Sequence, residues 1–297
     1  MRYAFWMLGF GPWLLLPLFA VSPEPPLASA APEVAEAQRL YRHTEYDQAI
    51  RVLANAPPQD AAVNEMLGRC YFGLGDYKKA TGYLEKAAAA QPDNSYFEMW
   101  LGRVYGRRAE TAFPINAMSW ATKARARMER AVQLDSSNGE AVDDLFDYYL
   151  QAPGIMGGGI DKAEKLLEII SSRDQAEAQY DRARIAEARK EFDSAEAHLK
   201  QAAQLAPHQV GRFLALGRFF ARRGRFAESD QAFAKAKQVA PDVPKVLFVE
   251  AATYIKTNRN VDTARILLQR YLRASNLTPD DPPKSEAEKL LRKVSGS

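Results

Sequence analysis

The chain has 297 residues, 47% apolar and 26% charged, an ordinary globular composition that excludes a mostly disordered or collagen-like polymer. Forty Lys and Arg against 37 Asp and Glu leave a formal charge of +3, too small for a global field that grips nucleic acid, so any charge-based specificity is local. The single cysteine, Cys70, forbids an intramolecular disulfide and any multi-cysteine zinc or iron-sulfur site.

Residues 3–21 are almost wholly apolar, although Gly9, Gly11, Pro12 and Pro17 interrupt the run. A charged start, an apolar middle and small residues at Ala28, Ser29 and Ala30 follow the signal-peptide order, so residues 1–30 are expected to be cut after Ala30, with Ala20 as a competing site. An uncleaved anchor is the alternative, but the prolines and glycines shorten any stable helix and favour cleavage. No cysteine lies near either cut, which excludes the usual lipoprotein anchor. The body beyond about Ala31 is expected to be exported, periplasmic or secreted, with membrane contact only through a retained N-terminus.

A spacing then repeats. From Ala61 to Asn94 the order is Leu67, Gly68, Tyr71, Gly75, Asp76, Tyr77, Ala80, Leu84, Ala87 and Pro92; from Val210 to Val243 it returns as Leu216, Gly217, Phe220, Gly224, Arg225, Phe226, Ser229, Phe233, Ala236 and Pro241. Residues 176–209 keep Phe192, Ala195, Leu199, Ala202 and Pro207 on the same frame, with Ala183 at the glycine position. Leu67, Tyr71 and Leu74 lie on one face of a helix, and Tyr77, Ala80, Leu84 and Ala87 on one face of a second, so the two stripes must meet. Gly68 and Ala80 permit close backbone approach, Gly75 and Asp76 supply the turn, and the prolines stop the second helix. One such pair cannot cover its own apolar flanks, so neighbours must stack.

This pattern resembles the tetratricopeptide repeat. The resemblance implies an all-α, right-handed superhelical solenoid of stacked antiparallel helix pairs over residues 31–281, with a C-terminal capping helix in 282–297. The small residues opening the second-helix stripes are Ala49, Ala80, Ala124, Ala163, Ala195, Ser229 and Ala264, about seven units spaced 31, 44, 39, 32, 34 and 35 residues apart. Pro57 and Pro58 should shorten the second helix of the first unit. Ser285 with Glu288 reads as a capping box for the last helix, ending near Val294.

Two spacings carry surplus residues. The first surplus, around 111–121, should lengthen both helices of the third unit or form a lip, and Phe113, Ile115, Met118 and Trp120 either fold back on that pair or line a docking edge. The second is the glycine-rich segment 151–159, a mobile or sharply turned connection. Gly154 and Gly159 have the outer spacing of a nucleotide loop, but Ile160 and Asp161 follow where lysine and a hydroxyl residue should, so Asp161 is read as a helix cap.

Catalytic patterns are weak. His43, His198 and His208 fall in different repeats with no metal-ligand spacing, and His198 and His208 read as solvated surface; no serine sits in a Gly-x-Ser-x-Gly elbow. Cys70 reads as a small core residue. Asp143 and Asp144, with Asp147, leave a carboxylate-dependent hydrolase as the least favoured reading. No cofactor and no metal are expected.

In the resembled family the first helix of each pair lines a concave groove. Its ninth repeat position carries over to Arg69, Arg103, Asp147, Arg184 and Arg218, with Tyr96, Met99, Trp100, Asp143, Asp144, Tyr180, Asp181 and Phe248 nearby. Aromatic, arginine and aspartate side chains are the mixture enriched at protein interfaces, so a protein or peptide partner is expected there. Arginines of adjacent layers could equally pair with Asp147 and Asp181 to neutralise the groove. The Lys and Asn of the family's carboxylate clamp are missing, and the basic run Arg212, Arg218, Arg222, Arg223 and Arg225 lacks an aromatic platform in every layer for nucleic acid. An envelope assembly subunit that docks through its apolar insertion is the alternative.

Overall fold

The computed structural model describes residues 32–295, so the signal-peptide reading and both cut sites lie outside the described residues. The chain forms two compact units, within Glu24–Arg189 and Lys190–Ser297. Every regular element described is a helix; no strand occurs among the described residues.

The first unit contains α1 (Pro32–Arg42), α2 (Tyr46–Leu53), α3 (Ala61–Gly73), α4 (Tyr77–Ala90), α5 (Ser95–Thr111), α6 (Pro114–Leu134), α7 (Gly139–Gln151), α8 (Ile160–Arg173) and α9 (Gln175–Ala188). Helices pair as α1/α2, α3/α4, α5/α6 and α7/α8, and each pair packs on the next. The apolar stripes explain the order: Ala80, Leu84 and Ala87 are fully buried, and they join Phe97, Leu101 and Val104 of α5 in one core. Close approach is visible at Gly68, where an added Cβ would lie 2.5 Å from Leu84 Cγ. Gly75 turns the chain with φ +78°, and Asp76 then caps α4 by accepting from the Lys79 amide at 3.1 Å. As its two prolines require, α2 is short.

The second unit contains α10 (Phe192–Leu205), α11 (Val210–Arg222), α12 (Phe226–Val239), α13 (Pro244–Lys256), α14 (Val261–Arg273) and α15 (Lys284–Ser295). The same logic recurs, with Phe233 buried against Gly217 and Gly224 turning at φ +73°. Helices α4, α10 and α12 each end two residues before Pro92, Pro207 and Pro241. Helix α15 packs on α13 and α14 with Ala287 and Val294 buried, and so covers the apolar end of the stack.

Two local expectations need correction, and the alternatives left open at 111–121 divide by residue. Helix α15 starts at Lys284 straight after Pro283, so Ser285 lies inside its first turn instead of capping it. Helix α8 starts at Ile160 with Gly159 at the cap position, so Asp161 is an acidic first-turn residue facing the helix dipole. The surplus at 111–121 lengthens α5 to 17 and α6 to 21 residues, but Phe113 and Ile115 stand 82% and 87% exposed and Met118 is also exposed. Only Trp120 folds back, its ring tilted against Tyr105 at 5.4 Å and carrying the Arg108 guanidinium 3.7 Å above it.

The glycine segment is sharply turned and pinned. After one 3-10 turn, Gly154–Met156, the Tyr148 hydroxyl donates to the Met156 carbonyl at 2.7 Å and Lys162 Nζ donates to the Gly157 carbonyl at 2.8 Å. No described helix is long and apolar enough to cross a membrane.

Candidate binding face

In the first unit α3, α5, α7 and α9 are the leading helices of successive layers, and side chains three and four residues apart on each share a face. Arg69 on α3 is only 4% exposed: its guanidinium lies 4.4 Å from the Tyr41 ring of α1 and 4.9 Å from the Trp100 ring of α5, and Nη1 reaches Glu65 at 3.4 Å. Trp100, 7% exposed, meets Phe72 edge-on at 5.7 Å and holds Arg103 at 4.7 Å on its other side. A tryptophan between two guanidiniums of neighbouring layers is a packing joint.

Past that joint the face becomes a ladder of ion pairs. Arg103 Nε donates to Asp144 at 2.5 Å and Nη2 to Glu140 at 2.9 Å, joining α5 to α7. Arg184 joins α9 to α7 through Asp147, donates to Asp181 at 3.1 Å on its own helix, and lies over the Phe146 and Tyr180 rings. Arg173 at the end of α8 donates to Asp143 at 2.6 Å. Arg103 and Arg184 therefore serve acids of an adjoining layer and Arg173 an acid of its own helix pair, which is the neutralising arrangement.

Burial sets the electrostatics of these acids. Helix α7 carries Glu140, Asp143, Asp144 and Asp147 without a base. Burial pushes the Asp144 carboxyl up to about 7 against the pull of Arg103, and burial with the nearby Glu177 carboxylate pushes Asp143 up to about 7. Asp147 and Asp181 are raised for the same first reason. Proton affinity this high would suit an acid catalyst, yet Asp143, Asp144 and Asp147 are each bound to an arginine, which pulls against burial and ties the carboxyls to structure.

The sequence-derived residues thus divide. Arg103, Asp143, Asp144, Asp147 and Arg184 come together on one face and keep partial exposure, and Tyr96 is half-buried beside them on α5. Arg69, Trp100, Met99 and Tyr180 are instead buried between layers, with Tyr180 8% exposed. Arg218 lies half-buried on α11 of the second unit, where Phe248 is buried edge-on to Tyr271 at 5.2 Å. The basic run along α11 and the turn after it disperses: Arg212 is buried, Arg223 lies over Phe192, and Arg225 pairs with Glu196 and Glu228. Sequence reasoning missed Glu140 and Arg173 as rungs; their signal was Glu140 one turn before Asp143 and Asp144, and the basic end of α8. Cys70 is fully buried, which pushes its thiol up to about 12. His208 is exposed and His198 is half-buried on α10. Among the described residues no His, Cys, Asp and Glu side chains group as metal ligands.

Two family profiles, both described as tetratricopeptide repeat, match residues 34–104 and 157–210. A tetratricopeptide repeat protein structure from Parabacteroides merdae is similar at TM-score 0.59 and 12% identity, covering 89% of this chain and 97% of that one. A thermophilic tetratricopeptide protein from Thermus thermophilus is similar at TM-score 0.51 and 20% identity, covering 67% and 97%. The Cut9–Hcn1 hetero-tetramer of the APC/C is similar at TM-score 0.52 and 14% identity; the match covers 88% of this chain and 48% of that one. No curated protein matches this chain. Repeat spacing, paired helices with glycine and alanine at their crossings, and both profiles agree: the chain is a tetratricopeptide repeat protein.

Proposed function

We propose that the protein is an exported, non-enzymatic scaffold that binds a protein or peptide segment along the face formed by α5, α7 and α9. Tetratricopeptide repeats generally mediate protein–protein interaction, and one observation carries the choice of face. Arg103, Glu140, Asp143, Asp144, Asp147 and Arg184 form a continuous, partly exposed row of charged groups across three layers. A segment laid across them can trade protein–protein ion pairs for its own, which gives specificity more than raw affinity. The apolar contribution comes from the half-buried Tyr96 at one end of the row. Export rests on the apolar leader and the small residues before Ala31. The arginine-bound state of Asp143, Asp144 and Asp147 supports binding over hydrolysis.

The test is co-purification from native envelope, read by mass spectrometry, with the wild type and with Glu140→Gln combined with Asp143→Asn. These isosteres keep shape and remove charge at the most accessible rungs. Loss of a specific partner with an unchanged helical signal is expected. An identical set of co-purified proteins discards this face.

A further inference from the structure

In the first unit the turns inside successive helix pairs share one edge. Arg107 near the end of α5 donates to the Tyr77 hydroxyl at the start of α4, at 3.1 Å from both Nε and Nη2, and the single Tyr148 hydroxyl proton of α7 is shared between the Met156 carbonyl at 2.7 Å and the Ala121 carbonyl of α6 at 3.0 Å. Those bonds gather the turns after α3, α5 and α7. Each turn carries exposed apolar groups: Leu74 on the first, Phe113 and Ile115 with Met118 on the second, and Ile155, 76% exposed, on the third.

Cations surround these tips. Lys78 and Lys79 open α4, Arg108 ends α5, Lys123 lies on α6 with Nζ 4.7 Å from the Trp120 ring, and Lys162 opens α8. Lys79 is paired with Asp76, and Arg107 with Glu110, so the acids nearest the first two tips are already occupied. Lys78 lies within electrostatic range of Asp76, and Lys78, Arg108, Lys123 and Lys162 make no carboxylate ion pair within 4 Å among the described residues. Bare aliphatic and aromatic side chains on turn tips, ringed by lysine, match the interface of an anionic bilayer, whereas protein interfaces are depleted in lysine.

We propose that this edge docks on an anionic lipid surface, with Phe113, Ile115 and Ile155 entering the headgroup boundary while Lys78, Arg108, Lys123 and Lys162 meet lipid phosphates. Such docking is independent of the α5–α7–α9 face and of the N-terminal apolar segment.

The experiment places an environment-sensitive dye on Ile115→Cys in the full chain. Cys70 does not compete, because it is buried and its thiol is pushed up to about 12. Vesicles of phosphatidylcholine with about a third phosphatidylglycerol should blue-shift and brighten the dye, and pure phosphatidylcholine vesicles should not. A dye on Ser136→Cys, at the exposed turn between α6 and α7, should stay unchanged in both. Combining Lys78→Glu, Lys123→Glu and Lys162→Glu should weaken the partition at least about tenfold. A dye at position 115 that stays in water while the chain sediments with vesicles overturns the proposal, since the N-terminal segment is then the only anchor. A shift that grows with protein concentration without lipid also overturns it, because the edge then meets another protein surface.

Discussion

Trp100 separates packing from recognition, so its truncation is the most informative single change to the first unit. Trp100→Ala deletes an almost fully buried indole that touches Phe72 and lies between the Arg69 and Arg103 guanidiniums. Losing a buried tryptophan costs about 3–5 kcal/mol through lost transfer energy and the cavity left behind. The two cation–π contacts are worth about 0.5–2 kcal/mol each, but they overlap with that burial, so we expect a total of about 4 kcal/mol. At about 2–4 °C per kcal/mol for a body of this size, the melting temperature should fall by about 10 °C. Trp100→Phe, which keeps a ring, should lose less than half as much. Circular dichroism melting supplies the total, and amide hydrogen exchange should show extra opening in α3 and α5 with little change in α13 and α14, because stack stability is local. A Trp100→Ala protein that melts within a degree of the wild type would refute the joint and return Trp100 to a solvent-facing contact.

Other outcomes follow from single sites. Gly217→Ala places a methyl 2.8 Å from the Phe233 ring and should cost about 1–3 kcal/mol in urea denaturation; a neutral result means that the α11–α12 crossing is looser than described. Asp143 and Asp144 have folded pKa values near 7, above the unfolded carboxylate value of 3.8, so the folded chain binds more protons between those limits. Their contribution to stability therefore falls as pH rises from about 4 to 7, and is flat above. Melting temperature should rise as pH is lowered from 8 to about 5.5, and Asp143→Asn with Asp144→Asn should flatten that slope; an unaltered slope excludes these carboxyls as its source. Cys70 should resist Ellman's reagent at pH 8 in the native protein and react fully in denaturant, and fast native reaction contradicts its burial.

Most of the fold was legible because each repeat position has a local cause. Gly75 and Gly224 take positive φ at the turns, Pro92, Pro207 and Pro241 follow helix ends, and Ala80 and Ser229 lie fully buried where two helices cross. The candidate site was legible only in part, since spacing gives the face of a helix but not what the adjoining layer places over it. Tyr41 covers Arg69 from α1, and the Arg69–Trp100–Arg103 stack closes over two residues that the groove frame points outward. Arginine pairing with Asp147 and Asp181 was among the sequence alternatives and Arg184 makes both pairs, but the choice between pairing and recognition needed cross-layer registry, as between Arg184 and Asp147. At 111–121 the hydrophobicity was plain, but the direction was not. Pro114 starts α6 directly after the turn, which fixes Phe113 and Ile115 at the tip, away from the pair beneath.

Site-specific photocrosslinking in native envelope tests the central claim most directly. A benzophenone side chain at position 143, on the ladder, should give a discrete protein adduct, whereas one at position 86, on the exposed side of α4, should give none. Adducts confined to position 86, or equal at both, would contradict a binding role for the α5–α7–α9 face.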